Sequence, residues 1–240
     1  MIDLWYKNAV IYSLDVGTFA DGNADGVGDF LGLSDHLPYL AGIGITCVWL
    51  LPFYPSPRRD DGYDVQDFYG VDPRYGTLGD FVDFAHQAEE LGIRVIVDLV
   101  VNHTSDQHPW FKSARSDPKS PHRDWYIWSK TKPKDATSGI VFPGVQKSTW
   151  TRDKQARAYY FHRFYDFQPD LNISHPGVLE EIERIMGFWI QLGVTGFRID
   201  AAPFVIEDKT TNAASGPEQY EYLTDFRRFL SWRRGDAATR

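Results

Sequence analysis

The sequence predicts an α/β protein with a parallel sheet, because strand-like and helix-like segments alternate along most of its 240 residues. Four short apolar runs, at 9–14, 45–51, 94–100 and 196–200, are typical of strands. Three of them are almost continuously apolar, as parallel strands buried on both faces are. The fourth is shorter and is interrupted by polar residues. Helical patterns lie between and after these runs, and this alternation is typical of βα units with parallel strands.

The helical segments are recognised by apolar spacing and by their end signals. Thr77 is a plausible N-cap with Asp80 three residues later. Pro176 lies near the start of the third segment and Gly193 lies just past its end, where these residues are favoured. The sequence therefore predicts four helices, over residues 30–42, 77–92, 175–193 and 216–235.

The alternation breaks between the third and fourth strands. Residues 104–172 are rich in Pro, Ser, Lys, Asp and aromatic residues and show no long helical pattern. A structureless stretch of about 70 residues is unusual inside a compact domain. We therefore expect an inserted subdomain over 104–172, between a first part over 1–103 and a continuation over 173–240.

Composition excludes several classes of function. The net charge of −8 and the absence of a basic stripe argue against nucleic-acid binding. No apolar run approaches the roughly 18 residues of a membrane span, and no secretory signal is visible at the start, so a cytoplasmic location is the expectation. One cysteine excludes an intrachain disulfide. No G-x-G-x-x-G follows a strand, which argues against a Rossmann-type nucleotide enzyme.

The segment "DGNADGVGD", residues 21–29, places oxygen-bearing side chains between glycines. It matches the first half of a calcium loop, with Gly at the sixth position. The EF-hand pattern then fails, because the twelfth position is Gly32 where a bidentate Glu is required. The sequence predicts one oxygen-ligand cation site for Ca²⁺, with Mg²⁺ as the alternative ion; the alternative structure is an acidic surface turn. The candidate ligands are Asp21, Asn23, Asp25, the Val27 carbonyl and Asp29.

Polar side chains also cluster where the predicted strands end, and in βα-barrels this edge holds the active site. Arg198 and Asp200 are two residues apart on a strand, so they share a face, and a guanidinium favours the ionised carboxylate. Retaining glycoside hydrolysis uses such a carboxylate opposite a carboxylic acid. The alternatives are a structural ion pair of Arg198 and Asp200, a structural His103, and a Tyr63 that lies in the core or on the surface without a role in binding. The candidates are Asp60, Tyr63, Asp98, His103, Arg198 and Asp200.

Four motifs in order give the sequence a family resemblance: "DGYDV" (61–65), "DLVVNH" (98–103), "QPDLN" (168–172) and "GFRID" (196–200). Together they resemble the α-amylase superfamily, glycoside hydrolase family thirteen, in its α-glucosidase, oligo-1,6-glucosidase and trehalose synthase branch. The resemblance implies a partial TIM (β/α)8 barrel, strands one to four, with an inserted B domain after strand three. It also identifies the 21–29 loop with a calcium site of this branch, and it implies no organic cofactor.

The resemblance implies a role for each candidate. Asp200 matches the catalytic nucleophile and Arg198 the arginine that orients it. His103 and Tyr63 match residues that hold the sugar of subsite −1, by hydrogen bonding and by stacking. Asp60 matches a residue that recognises the non-reducing end. The substrate-binding positions implied in this way are Asp60, Tyr63, Asp98 and His103.

The chain departs from the family in one respect. The family's general-acid Glu follows strand five, and neither Glu207 nor Glu218 matches it, since both follow strand four. We therefore expect the N-terminal portion of a retaining enzyme that hydrolyses or transfers short α-glucosides, inactive without the missing C-terminal half of the barrel. Ala201, directly after the nucleophile, favours α-1,4 or α-1,1 over α-1,6 linkages by resemblance. The alternative is a non-catalytic sugar-binding or interaction protein on the same scaffold.

An open barrel also carries an expectation about packing. Four strands cannot close, so the first and fourth strands keep unpaired edges. We expect Val48, Val97 and Ile199 to face the barrel interior and to lose packing partners there. The isolated chain is accordingly expected to aggregate or to be partly unfolded.

Overall fold

The computed structural model describes residues 5–209 and 217–234, and a four-stranded parallel sheet forms its frame. The order β1–β2–β3–β7 follows the chain, and every pair is parallel. All four predicted strands are confirmed. Because the strands run in the same direction, their C-terminal ends meet along one edge. The strands are β1 Ile11–Leu14, β2 Cys47–Leu50, β3 Arg94–Leu99 and β7 Gly196–Ile199.

Helices form in all four predicted segments, and three further helices, over 16–19, 109–116 and 202–205, were not predicted. The segment 30–42 forms two helices rather than one, because Pro38, in the first turn of the second, has no N–H to continue the hydrogen-bond ladder. The predicted ends of the last helix at 216 and 235 lie outside the described residues. The helices are α1 Val16–Phe19, α2 Phe30–Asp35, α3 Leu37–Gly42, α4 Leu78–Glu90, α5 Pro109–Ser116, α6 Pro176–Gln191, α7 Ala202–Val205 and α8 Glu221–Arg234.

The helices α4 and α6 begin at side-chain caps. Thr77 Oγ1 accepts the Asp80 N–H at 3.2 Å, and Asp80 Oδ2 accepts the Thr77 N–H at 2.7 Å, so the predicted N-cap of α4 is part of a complete capping box. At α6 the cap is His175, whose Nδ1 accepts the Gly177 N–H at 3.1 Å. These bonds satisfy N–H groups that a helix start leaves unpaired.

The prediction that Val48, Val97 and Ile199 face the barrel interior is wrong. Val48 and Val97 are fully buried and belong to the main apolar cluster, together with Phe81 of α4 and Trp189 of α6; Ile199 packs against the same cluster. These side chains therefore point to the helix layer and not to the barrel interior. A near-continuous apolar run shows no alternation, so its facing cannot be taken from the run itself.

Residues 104–172 carry structure of their own, with α5 and a three-stranded antiparallel sheet. A backbone bridge between His103 and Asp170 ties this segment to the end of β3, and a second bridge, between Tyr126 and Leu171, lies within the segment. The segment therefore covers the edge where the parallel strands end. Its strands, in the order β4–β6–β5, are β4 Trp128–Ser129, β5 Trp150–Asp153 and β6 Ala158–Phe161.

The parallel sheet is open within the described residues, because β1 and β7 each pair on one side only. The outer strand β1 is also poorly covered, with Ile11 48 % and Tyr12 37 % exposed. Among the described helices, none combines the length and the apolar composition needed to cross a membrane.

Candidate active site

Arg198 joins two carboxylates at the C-terminal edge of the sheet. β3 and β7 pair with Asp98 opposite Arg198, so both side chains leave the same face. Arg198 Nη1 lies 2.8 Å from Asp98 Oδ1 and 2.5 Å from Asp200 Oδ1. One guanidinium nitrogen is therefore shared between a fully buried carboxylate and one that retains 17 % exposure of its side chain.

Asp98 is the centre of this arrangement. Its Oδ2 accepts hydrogen bonds from Trp49 Nε1 at 3.2 Å and from the Tyr63 hydroxyl at 3.3 Å. Burial raises the pKa of the Asp98 carboxyl, and the hydrogen bond and charge of Arg198 oppose that increase. Asp98 thus holds β2, the following loop and β7 together through side-chain contacts.

Tyr63 lies beside both carboxylates. Burial is the main cause of its raised pKa, and the charges of Asp98 and Asp200 add to it. The phenol therefore stays protonated at neutral pH, and its hydroxyl can donate to Asp98. Tyr63 and Asp200 belong to one cluster, as expected from their places after β2 and β7.

His103 is buried at the same edge, 2 % exposed. Its Nε2 lies 3.1 Å from the Tyr63 carbonyl oxygen and its Nδ1 lies 3.3 Å from Asn102 Nδ2, while the Phe164 ring packs edge-on at 5.5 Å. Burial lowers the pKa of His103, against the opposing charges of Asp170 and Asp200. The ring is therefore neutral at pH 7.

Asp60 lies on the same loop as Tyr63 and is held from the inserted segment. The fully buried Gln168 donates through Nε2 to Asp60 Oδ2 at 2.8 Å, and the Asp60 N–H lies 3.3 Å from Asp64 Oδ1. The buried Asp64 also accepts from Ser56 Oγ at 2.9 Å. The structure thus brings Tyr63, Asp98, His103, Arg198 and Asp200 together and places Asp60 on the adjoining loop.

A buried ion pair behind His103 was missed by sequence reasoning. Lys209 Nζ lies 2.7 Å from Asp170 Oδ2 and 2.7 Å from Asn102 Oδ1, with both charged side chains fully buried. Burial lowers the pKa of Lys209, and Asp170 opposes that change. Asn102 and Asp170 lie in recognised motifs, which was a usable signal, whereas nothing in the sequence around Lys209 marks it.

The 21–29 loop is organised by its own carboxylates and amide. Asp21 accepts the Ala24 N–H at 2.6 Å and the Gly26 N–H at 2.7 Å, and these bonds, that of Gly26 above all, lower the pKa of Asp21. Asn23 and Asp25 each accept the N–H two residues later, at 2.9 and 2.8 Å.

Asp29 closes this loop and caps α2. Its Oδ1 accepts the Gly32 N–H at 2.7 Å, while Oδ2 is buried without a partner. Within residues 5–209 and 217–234, no three His, Cys, Asp or Glu side chains gather closely enough to hold a metal. The predicted side-chain ligands are therefore present on one loop but are not drawn around one point.

Three glutamates follow β7 within the described residues: Glu207, Glu218 and Glu221. Glu207 pairs with Arg163, and its main chain bridges to Glu218. Glu207 is thus held by Arg163 of the inserted segment.

Comparisons with known proteins extend over nearly the whole chain. The family model "Alpha amylase, catalytic domain" matches residues 15–239. The chain is 46 % identical over 226 residues to the trehalose synthase/amylase TreS of Mycolicibacterium smegmatis, covering 94 % of this chain and 38 % of that protein. It is 50 % identical over 236 residues to a trehalose synthase of Thermus thermophilus, covering 98 % of this chain and 24 % of that protein.

Solved structures give the same result. The trehalose-6-phosphate hydrolase of Bacillus licheniformis superposes with a TM-score of 0.85 at 34 % identity, over 94 % of this chain and 42 % of that one. The trehalulose synthase MutB of Pseudomonas mesoacidophila MX-45 superposes with a TM-score of 0.83 at 37 % identity, over 94 % and 43 %. The chain thus spans less than half the length of these relatives. Its sequence and its fold place it in the α-amylase family, glycoside hydrolase family thirteen.

Proposed function

We propose that the chain forms the N-terminal part of a retaining enzyme that acts on short α-glucosides, with Asp200 as nucleophile. The observation that carries the proposal is Arg198, whose Nη1 holds Asp200 Oδ1 while also bonding the buried Asp98. A carboxylate fixed through one oxygen can present the other to an anomeric carbon.

The sugar would lie against Tyr63, with His103 and Asp60 at the edge of the same pocket. A half-buried tyrosine ring offers an apolar face to the sugar, while its hydroxyl is occupied by Asp98. Attack by Asp200 forms a covalent glucosyl ester and breaks the glycosidic bond, and a second step transfers the glucosyl unit to water or to a sugar hydroxyl.

The general acid has to come from outside the described residues. Retaining enzymes hold acid and nucleophile roughly 5–5.5 Å apart. The one glutamate near the end of β7, Glu207, is committed to Arg163. We therefore propose that catalysis requires the second half of the barrel. Relatives named trehalose synthase and trehalulose synthase support transfer to a sugar beside hydrolysis. By the family resemblance alone, Ala201 favours α-1,4 or α-1,1 linkages over α-1,6.

We also propose that the 21–29 loop binds Ca²⁺, with Mg²⁺ as the alternative. The buried and unpartnered Asp29 Oδ2 supports this, because a buried carboxylate oxygen without a donor is costly unless a cation satisfies it. Asp21, Asn23, Asp25 and the Val27 carbonyl would provide the other oxygens. Bound there, the cation would fix the loop that follows β1 and α1.

The test is made on the complete gene product with maltose, trehalose and an aryl α-glucoside. Asp200→Asn should lower turnover by at least about 10³-fold, as expected for loss of a nucleophile. Asp225→Asn, which removes an exposed carboxylate on α8 paired with Arg228, is the matched control and should leave turnover unchanged.

A second measurement identifies the covalent step. A slow fluorinated α-glucoside should leave one glucosyl unit on the peptide that contains Asp200, detected by mass spectrometry. Sugar binding without turnover in the unaltered protein would instead favour the non-catalytic alternative. Labelling of a different carboxylate would contradict the assignment of Asp200.

A further inference from the structure

Lys209 stands at one end of a chain of hydrogen bonds that reaches the loop of Tyr63. An ammonium group has donors only, so the Asn102 atom that it contacts at 2.7 Å is the carbonyl Oδ1. The amide nitrogen Nδ2 of Asn102 is thereby turned toward Asp170 Oδ2 at 3.2 Å and toward His103 Nδ1 at 3.3 Å. Lys209 thus decides which way the Asn102 amide points.

The next link is the tautomer of His103. Its other nitrogen, Nε2, faces the Tyr63 carbonyl at 3.1 Å, and a carbonyl oxygen can only accept. In a neutral ring, a proton on Nε2 leaves Nδ1 as an acceptor, which matches the amide hydrogen that Asn102 offers. Every donor meets an acceptor from Lys209 to the Tyr63 main chain.

We propose that Lys209 is a positioning residue for the active site: it fixes the Asn102 amide, holds His103 as the Nε2–H tautomer and thereby anchors the loop that carries Tyr63. The proposal rests on the proposed function for the role of Tyr63, but the hydrogen-bond chain stands on geometry alone. It connects the segment after β7 with the loop after β2 without touching Asp200 or Arg198.

These hydrogen bonds are sensitive to substitution because each of the side chains that form them is buried. Lys209 and Asp170 side chains are fully buried, and Asn102 and His103 are no more than 2 % exposed. Water cannot readily replace a lost partner, so a change at Lys209 must be taken up by rotation of the amide or by movement of the proton.

The readout is the tautomer, observed by ¹⁵N NMR of histidine-labelled complete gene product, with His103 assigned through His103→Gln. The unaltered protein should show His103 with a protonated Nε2 and a bare Nδ1. Lys209→Met keeps the length of the side chain but removes the charge and the donors, and it should give a mixture of the two tautomers.

Arg115→Met is the matched control. It also removes a cation from a buried carboxylate, Asp153 at 2.6 Å, but has no contact with Asn102. The His103 tautomer should be unchanged in this variant. A tautomer shift of the same size in both variants, or none with Lys209→Met, would overturn the proposal, as would an Nδ1–H tautomer in the unaltered protein.

If the Lys209→Met variant fails to fold, the Asn102→Asp variant provides a second test of the proposal. It replaces the donor at His103 Nδ1 with an acceptor, so His103 should take up a second proton and become an imidazolium at neutral pH. The other charges that act on the ring are Asp170, Asp200 and Lys209. The expected result is a higher pKa of His103. A His103 ring that stays neutral with its proton on Nε2 would contradict the proposed hydrogen-bond arrangement.

Turnover of an α-glucoside is followed in the same samples. If the unaltered protein has no such activity while the tautomers respond as expected, the proposed function fails and the positioning of His103 stands. If activity is present and Lys209→Met changes neither tautomer nor the ratio of kcat to KM, the proposed function stands and the positioning role is wrong.

Discussion

At the scale of single residues, Asp98 is the most consequential side chain of the candidate site. It is fully buried and accepts from Arg198, Trp49 and Tyr63. Breaking a buried pair by removing one partner leaves an uncompensated charge, at a cost of several kcal/mol. Arg198 therefore has a structural role beside its place at Asp200, and its two roles can be separated by pH.

We expect Arg198→Ala to lower the free energy of unfolding by about 3 kcal/mol at pH 7 and by less at pH 4.5. Arg198 opposes the rise in the Asp98 pKa, so its loss raises that pKa further. A carboxyl whose folded pKa lies above its unfolded value near 3.9 destabilises the fold as pH rises through that window. Thermal unfolding at the two pH values measures the difference.

The control for this prediction is Arg184→Ala. Arg184 is 66 % exposed and pairs with Glu181 on the surface of α6. Its loss should leave the free energy of unfolding nearly unchanged at either pH. An equal effect of Arg198→Ala at pH 4.5 and pH 7 would show that the charge of Asp98 is not what Arg198 compensates.

The sequence was sufficient to predict the residues of the motifs, but not the buried residues that hold them in place. Arg198, Asp200 and His103 could be predicted because polar residues at strand ends share one edge. Lys209 could not, because lysine is normally exposed and its partner Asn102 lies 107 residues earlier. Burial of such a residue depends on tertiary contacts that no local pattern encodes.

At the scale of elements, the start of α4 depends on a reciprocal cap. We expect Thr77→Ala to lower the free energy of unfolding by about 1 kcal/mol. Asp80→Ala should cost a similar amount, and the double variant should cost less than the two together, because both remove the same box. The check is denaturant unfolding of the four proteins. Asp83→Ala, on the exposed side of α4, is the control and should be near neutral.

The 21–29 loop carries the metal prediction. Saturating Ca²⁺ at about 100 times its dissociation constant should stabilise the fold by about 2.7 kcal/mol, if the ion binds only the folded state. Asp25→Asn should weaken this effect, whereas Asp35→Asn, which removes a nearby exposed charge, should not. The measurement is the thermal midpoint with chelator and with added Ca²⁺. An unchanged midpoint, together with no metal by elemental analysis, would refute the site.

Strand prediction succeeded where strand-like runs alternated with helical patterns and failed in residues 104–172, where this alternation breaks. The strands of the parallel sheet could be placed because buried βα units give continuous runs. The sheet of residues 104–172 could not, since its strands β4 (WS) and β5 (WTRD) contain polar residues and form no continuous apolar run. The side of the sheet toward which Val48 and Val97 point was predicted wrongly, because both lie in runs whose two faces are equally apolar.

At the scale of the whole molecule, the open parallel sheet determines how the isolated chain folds and whether it associates with itself. Because Val48 and Val97 pack against the helices, the core of the isolated chain is better covered than the sequence suggested. The exposed edges remain, at β1 and at β7. We therefore expect polypeptide 1–240 to fold but to self-associate through these edges, and to lack activity on maltose.

Size-exclusion chromatography and thermal melting of the isolated chain test this expectation. Ile11→Lys places a charge on the exposed outer strand and should reduce association without lowering the melting midpoint. A monomeric, cooperatively melting chain that cleaves maltose would show that residues 1–240 carry their own general acid.

The sheet order has a consequence for biosynthesis. Strands pair in the order in which a ribosome makes them, so β1, β2 and β3 can assemble while the rest of the chain is still being synthesised. Arg198 is made 100 residues after its partner Asp98. At about 5–20 residues per second, the nascent chain carries an unpaired Asp98 and an open β3 edge for roughly 5–20 seconds. During that interval a chaperone could cover the open β3 edge and the unpaired Asp98. Slow codons within 104–172 would prolong the interval.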